Sequence, residues 1–158
     1  MEKAAITKYA QHVKSHPMEK TFLYKKVMVV DDNAMDRYIT TEIVRKYSFA
    51  EEVSMYPSVS EALVYLRSLE SAPASFPPVI FLDVNMPVMD GFDFLDNYLK
   101  LPQNLQKRCT IIMISATNSE EDFARIHTYP VVRMFFRKPL SEAILEEIRK
   151  VLVTEVSY

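Results

Sequence analysis

Glycine is almost absent from this sequence: Gly91 is the single glycine among 158 residues. The P-loop and the dinucleotide-binding turn G-x-G-x-x-G each need several glycines, because their backbone N–H groups must approach a phosphate closely. The nucleophile elbow G-x-S-x-G also needs more than one glycine. The composition therefore excludes these kinds of active site.

Cysteine, histidine and long apolar runs are also scarce. Cys109 has no second cysteine with which to form an intramolecular disulfide, and the three histidines do not form a zinc-binding pattern with it. The sequence contains neither a signal peptide nor an apolar run of ~18 residues. A net charge of −2 gives no general attraction to nucleic acid. We therefore expect a cytoplasmic protein without a membrane span and without direct nucleic acid binding.

Charge is unevenly distributed along the chain. Residues 1–26 carry six lysines against two glutamates, a balance of +4, whereas the other residues carry 13 basic and 19 acidic side chains, a balance of −6. We therefore expect a basic extension over 1–24, either flexible or a short helix, followed by a folded domain over 25–158. Apolar residues between Ile6 and Val13 recur at helical spacing, which is compatible with a docking helix, a weak contact with an anionic surface, or a solvated leader.

Five apolar runs predict the strands of a sheet. Four of them are nearly continuous, which is typical of strands covered on both faces of a parallel sheet, and the second alternates, which favours an edge strand. The runs are Lys26–Val30, Val53–Tyr56, Pro78–Leu82, Thr110–Ile114 and Val131–Phe136.

A segment of helical period follows each run, and Asn33 and Ser58 stand where N-caps are expected. The segments are Met35–Tyr47, Val59–Leu69, Phe94–Leu99, Phe123–His127 and Ile144–Leu152. The alternation of strand and helix predicts an α/β fold, in which a doubly wound five-stranded parallel sheet has helices on both faces.

Polar side chains follow four of the predicted strands, at the edge where ligands bind in such sheets. Asp31 and Asp32 follow the first strand, Asp83 the third, Ser115 the fourth and Lys138 the fifth. Three neighbouring carboxylates repel one another, and one lysine offsets only part of their charge. A hard cation such as Mg²⁺ fits this set, and a metal with a lysine and a hydroxyl is what phosphoryl transfer requires. The pattern therefore predicts phosphoryl transfer onto Asp83 as nucleophile.

Four sequence blocks resemble the receiver domain of two-component response regulators. They are VMVVDDN at Val27–Asn33, FLDVNMPVMDG at Phe81–Gly91, ISA at Ile114–Ala116 and KPL at Lys138–Leu140. The resemblance covers about residues 25–153 and implies the flavodoxin-like strand order 2-1-3-4-5.

The resemblance also implies roles for the residues of the acidic site. Asp83 is expected to be the phosphorylation site. Asp32, Asp83 and the backbone carbonyl of Asn85 are expected to bind Mg²⁺ (or Mn²⁺) directly, and Asp31 through a water molecule. Lys138 is expected to pair with Asp83 at rest and with the phosphoryl group afterwards. The bond from Lys138 to Pro139 is usually cis in this family.

Four further roles are implied around the acceptor. Ser115 is expected to act in catalysis, and its hydroxyl is expected to move to the phosphoryl group. Ser115 and Phe135 are together expected to form the conformational switch. Phe135 stands where the family often has tyrosine, so a hydrogen bond from that ring is excluded. Asn85 and Thr117 are expected to tune the lifetime of the acyl phosphate. Gly91 follows the acceptor in a turn that needs either a positive φ or the absence of a side chain.

We therefore expect a stand-alone receiver, because 20 residues after Lys138 leave no room for an effector domain. It is expected to accept a phosphoryl group from a sensor histidine kinase or phosphotransfer protein and to catalyse only its own phosphorylation and dephosphorylation. The expected downstream partner surface comprises the fourth helix, fifth strand and fifth helix, although Ile126–Val132 lacks the usual Gly-Ala pair. One alternative is a Mg-dependent phosphatase with an aspartyl-phosphate intermediate, and another is a receiver that binds partners without being phosphorylated.

Overall fold

The computed structural model describes residues 20–155, and these residues form one five-stranded parallel sheet. Its order is β2-β1-β3-β4-β5, which confirms the predicted fold class and strand order. The strands are β1 (Tyr24–Val30), β2 (Ala50–Tyr56), β3 (Val79–Asp83), β4 (Thr110–Ser115) and β5 (Val132–Arg137).

A helix follows each strand, as the sequence predicts. The helices are α1 (Ala34–Lys46), α2 (Val59–Ser68), α3 (Gly91–Tyr98), α4 (Glu120–Ile126) and α5 (Glu142–Glu155). The sequence did not predict a 3₁₀ turn at Pro73–Ser75 or a short helix at Gln103–Gln106. Both lie in connections without apolar periodicity, so no pattern marked them. No helix among residues 20–155 is long and apolar enough to cross a membrane.

Side-chain caps fix where the helices begin. The Asn33 side chain accepts hydrogen bonds from the backbone N–H groups of Met35 and Asp36, and so caps α1. Ser58 caps α2 in the same way. At α3, Asp90 and Asp93 form a reciprocal capping box. These caps satisfy backbone N–H groups that have no partner within the helix, and they place the first turns of α1 and α3 beside the loops that follow β1 and β3.

Apolar side chains from alternate strand positions form one core on each face of the sheet. Helices α2, α3 and α4 cover the face that includes Met28 and Leu82, and α1 and α5 cover the face that includes Val29 and Phe81. Buried residues on both faces explain why β1, β3 and β4 appear as continuous apolar runs.

The two edge strands differ from the central ones. β2 lies at one edge, as its alternating pattern predicts, but β5 occupies the other edge and has no fully buried residue. Its apolar residues still contact both cores, since Val132 and Phe135 pack against one and Met134 and Phe136 against the other, which confirms the prediction of cover on both faces. Arg133 is an extra residue at an irregularity in the pairing of β4 with β5.

The predicted basic extension lies largely outside the described residues, and so does its helical pattern between Ile6 and Val13. Within the described part, β1 begins at Tyr24. The backbone N–H of Leu23 already donates to the carbonyl of Ser48, 3.1 Å away.

A substitution at Phe49 tests the packing of the core between the sheet and helices α1 and α5. The fully buried Phe49 ring lies 5.3 Å from Tyr24 and 5.8 Å from Phe81, centroid to centroid. We expect Phe49→Ala to lower the free energy of unfolding by about 3–5 kcal/mol in urea denaturation, because it leaves a cavity in a close-packed site. Val64→Ala, at an exposed position of α2, is the control and should change stability by less than about 0.5 kcal/mol. A loss below about 1 kcal/mol in Phe49→Ala would contradict this packing.

Candidate functional site

Three aspartates meet where the loops after β1 and β3 come together. One carboxylate oxygen from each of Asp31, Asp32 and Asp83 lies within 4.8 Å of the other two. Asp31 and Asp83 are buried, at 4% and 5% exposure, whereas Asp32 is exposed. The strand register explains this arrangement, because β1 and β3 are adjacent and both end at this edge.

The first turn of α1 holds the acidic loop after β1. The backbone N–H of Asn33 donates to Oδ1 of Asp31 over 2.9 Å, which orients that carboxylate. The guanidinium of Arg37 donates to the carbonyl oxygens of Asp31 and Asp32, at 2.7 and 3.0 Å. The site is therefore built by β1 and α1 together, and Arg37 is a supporting residue that sequence reasoning missed.

Lys138 reaches this cluster from the end of β5. Its Nζ lies 2.7 Å from Asp31 Oδ2, 2.8 Å from Asp36 Oδ2 and 3.3 Å from Asp83 Oδ1. The predicted contact with Asp83 is present, and the bond between Lys138 and Pro139 is cis, as the resemblance implies. Asp36 is a further residue of the site that sequence reasoning missed. An acidic residue in the first turn of a helix is expected for the helix dipole alone, so its position gave no sign of this contact.

Burial and mutual repulsion set the protonation of the cluster. Burial, and then the charge of Asp31, raise the pKa of Asp83 to about 7, although Lys138 and a backbone hydrogen bond oppose this shift. Burial also raises the pKa of Asp31 above its ordinary value. Burial alone would lower the pKa of Lys138, but its hydrogen bonds to Asp31 and Asp36 and the charge of Asp83 raise it. The lysine therefore stays charged, while the carboxylates remain incompletely compensated.

The donor set of the cluster fits a hard divalent cation. All the converging atoms are carboxylate oxygens, which Mg²⁺ prefers, and the four carboxylates, Asp36 included, outnumber the ammonium of Lys138 and the guanidinium of Arg37. The Asp32 carboxylate receives no hydrogen bond from residues 20–155 in this structure. The cluster therefore has both the oxygen ligands and the excess negative charge that such a cation requires.

A group of hydroxyl and amide side chains lies beyond β4. Ser115 is fully buried, and its Oγ lies 3.3 Å from Thr117 Oγ1 and 3.5 Å from the amide nitrogen of Asn85. That amide also donates to Thr117 Oγ1 over 3.4 Å. The backbone N–H of Lys138 donates to the Ser115 carbonyl over 2.8 Å. Asn85, Ser115 and Thr117, which are predicted to act around the acceptor, are therefore in mutual contact. A backbone hydrogen bond links Ser115 to Lys138 at the end of β5.

Phe135 lies apart from this hydroxyl group, on the side of β5 that faces α4. Its ring is partly buried against the core and lies 6.1 Å from the ring of Phe123, which is 52% exposed. A groove of about 300 Å³ opens between α4 and β5, and both rings line it.

Gly91 touches the backbone of the central aspartate. A Cβ at this position would lie 2.5 Å from the carbonyl oxygen of Asp83, closer than such atoms approach in proteins, and 3.0 Å from Cα of Val84, which is a tight contact. Gly91 does not have a positive φ, so the absent side chain is the reason for glycine here. The positive φ of this loop, 69°, belongs to the fully exposed Val88, which the sequence did not indicate.

The family model of the response regulator receiver domain matches residues 27–150. The chain belongs to this family. The similarity extends to a two-component response regulator from Cytophaga hutchinsonii, with a TM-score of 0.75 at 23% identity over 82% of this chain and 97% of that one. This second comparison supports the fold alone.

Two further proteins are similar to this chain. The receiver domain of the histidine kinase CKI1 from Arabidopsis thaliana, solved in complex with Mg²⁺ and BeF₃⁻, is 26% identical, with a TM-score of 0.67 over 82% of this chain and 90% of that one. The protein-glutamate methylesterase/protein-glutamine glutaminase of Escherichia coli strain K12 is 34% identical over 91 residues. That match spans 58% of this chain and 23% of the relative.

Membership of this family makes the chain a domain of phosphorylation-controlled signalling. The phosphatase alternative is not favoured. A phosphatase of this kind requires a second carboxylate two residues after the first one that follows β1, which is Asp31. That second position is occupied by Asn33, whose side chain caps α1. The receiver interpretation accounts for the Asp31–Asp32 pair and the distant Asp83 together.

The raised pKa of Asp83 predicts how the stability of the metal-free protein depends on pH. The folded protein binds the proton of the Asp83 carboxyl more tightly than the unfolded chain does. The free energy of unfolding that this proton contributes is therefore fully present below the ordinary carboxyl pKa and is lost as the pH rises through about 7. In EDTA at about pH 8, we expect Asp83→Asn to be more stable than the parent by about 2 kcal/mol, because it removes a buried, repelled charge.

Urea denaturation in EDTA between about pH 5 and pH 8 measures this difference, which should shrink at the acidic end. Glu42→Gln, at an exposed position of α1, is the control and should change stability by less than about 0.5 kcal/mol. A stability difference for Asp83→Asn that does not vary with pH would contradict the electrostatics described above.

Proposed function

We propose that Asp83 accepts the phosphoryl group in this receiver domain. The observation that carries the proposal is the convergence of two further aspartates and Lys138 on this one buried carboxylate, at the end of the central strand β3. Among the described residues, this convergence brings together a nucleophile, a fixed ammonium and oxygen ligands for a cation. These are the components that phosphoryl transfer requires.

In the proposed reaction, an oxygen of Asp83 attacks the phosphorus of a phosphohistidine on a histidine kinase or phosphotransfer protein. A P–O bond forms, the P–N bond breaks, and its electron pair returns to the imidazole, so the product is an acyl phosphate on Asp83. Asp32, Asp83 and the Asn85 carbonyl would bind Mg²⁺ (or Mn²⁺) directly, and Asp31 would bind it through water. When bound, the ion supplies positive charge to the phosphoryl oxygens.

Lys138 and Ser115 complete the proposed chemistry. The Lys138 ammonium offsets charge on one phosphoryl oxygen, and the Ser115 hydroxyl donates to another after the serine leaves its contacts with Thr117 and Asn85. That movement would draw the loop after β4 inward, and Phe135 would change its packing against Phe123. Asn85 and Thr117 are exposed and contact each other, and their polar side chains would set the lifetime of the acyl phosphate.

The proposal limits catalysis to the domain's own phosphorylation and dephosphorylation. The matched methylesterase has an activity of its own, but the match spans 23% of that protein, and we do not extend its activity to this chain.

The proposed downstream surface comprises α4, β5 and α5, where the groove beside Phe135 opens. Residues 25–158 would form the receiver and 1–24 a basic extension, and the free thiol of Cys109 favours a reducing cytoplasm.

Phosphorylation with acetyl phosphate tests the assignment of the acceptor. With Mg²⁺ present, we expect intact-mass spectrometry to detect one added phosphoryl group on the parent and none on Asp83→Asn, because the amide cannot form an acyl phosphate. EDTA should abolish the labelling, and Asp96→Asn should label like the parent. Labelling of Asp83→Asn would disprove the assignment, and an unlabelled parent would favour a domain that only binds partners.

Gly91→Ala tests whether the backbone of Asp83 must lie against α3. The added Cβ would overlap the Asp83 carbonyl oxygen, so the acceptor loop must shift. We expect the labelling rate to fall about tenfold or more, because a displacement near 1 Å misaligns the nucleophile, while stability falls by only ~1–2 kcal/mol. Glu142→Ala, at the exposed first residue of α5, is the control for alanine at a helix start. Normal labelling with lowered stability would contradict this role.

A further inference from the structure

The shortest contacts of Lys138 are to carboxylates other than the proposed acceptor. Its Nζ lies 2.7 Å from Asp31 and 2.8 Å from Asp36, against 3.3 Å from Asp83. An ammonium has three N–H donors, and the Asp36 carboxylate holds one of them in a hydrogen bond. Asp36 is the member of this set that belongs to α1, and its side chain is about one-third exposed.

The way α1 begins explains why Asp36 faces the lysine. Asp36 is the third residue of its helix, as Asp93 is of α3. Asp93 closes a capping box by accepting from the Asp90 backbone N–H over 2.8 Å. In α1 the corresponding N–H, that of Asn33, already donates to Asp31. The Asp36 carboxylate is therefore free of the cap and bonds Lys138 instead.

We propose that Asp36 is a positioning residue that holds the Lys138 ammonium toward α1 and thereby slows phosphorylation of Asp83. This inference rests on the proposed function, in which Lys138 must bind a phosphoryl oxygen. The incoming phosphoryl group has to compete with Asp36 for one N–H donor. Without the Asp36 charge, the lysine would move to the phosphoryl group at a lower cost in free energy.

Asp36→Asn tests this competition, because asparagine keeps the shape of the side chain and removes its charge. At saturating Mg²⁺, we expect the rate constant for labelling by acetyl phosphate to rise about fivefold, the factor that corresponds to losing a partly exposed ion pair. Asp36→Glu restores the charge and should label close to the parental rate. Glu42→Gln removes an exposed charge elsewhere on α1 and should change the rate by less than about twofold, because solvent screens distant charges.

A double-mutant cycle distinguishes action through Lys138 from a general effect of charge. In a Lys138→Ala background, Asp36→Asn should have no further effect on the labelling rate. The affinity for beryllofluoride with saturating Mg²⁺, followed by thermal shift, gives an equilibrium measurement of the same competition. It should rise about fivefold with Asp36→Asn in the parent and stay unchanged in the Lys138→Ala background.

Several outcomes would overturn the inference. They are slower or unchanged labelling by Asp36→Asn, equal acceleration by Glu42→Gln, and an effect that persists without Lys138. In each of these cases the parent still labels on Asp83, so the proposed function stands. A parent that does not label on Asp83 would instead disprove the proposed function.

Discussion

The sharing of one ammonium among buried carboxylates is the interaction on which this site depends. Asp31 and Asp83 lose almost all contact with water and repel each other, and Lys138 compensates only part of their charge. Burial of like charges costs free energy that the surrounding structure must supply. The result is a carboxylate whose pKa is raised and whose charged form is stabilised by any added positive charge.

The surrounding fold holds these charges together by means of short, specific supports. Arg37 and Asn33 fix the loop after β1, and the backbone bond from Lys138 to Ser115 joins the last two strands behind the site. Gly91 allows α3 to begin directly against the Asp83 carbonyl. Each support belongs to the first turn of a helix or the end of a strand, and the cluster is open toward solvent at Asp32.

Sequence reasoning predicted the fold well because its signals are local. Buried strands appear as continuous apolar runs, caps appear as single polar residues before helices, and strand-terminal acids follow from both. At β5 the apolar composition resembles that of the central strands, and only the strand order implied by the resemblance placed this strand at an edge. Composition reports how apolar a strand is, whereas its position in the sheet depends on which strand it pairs with.

The sequence by itself determined the five strands, the alternation with helices and the residue types at the strand ends, because periodicity and chain order specify them. The resemblance to receiver domains supplied the strand order and the expected residue roles. Only the tertiary structure decided which carboxylates share Lys138, since Asp36 and Lys138 are 102 residues apart and meet only when α1 packs beside β5's end. It also decided why the lone glycine is Gly91. The scarcity of glycine excludes phosphate-binding loops, and the one glycine present lets α3 approach the central aspartate, an approach that no local pattern encodes.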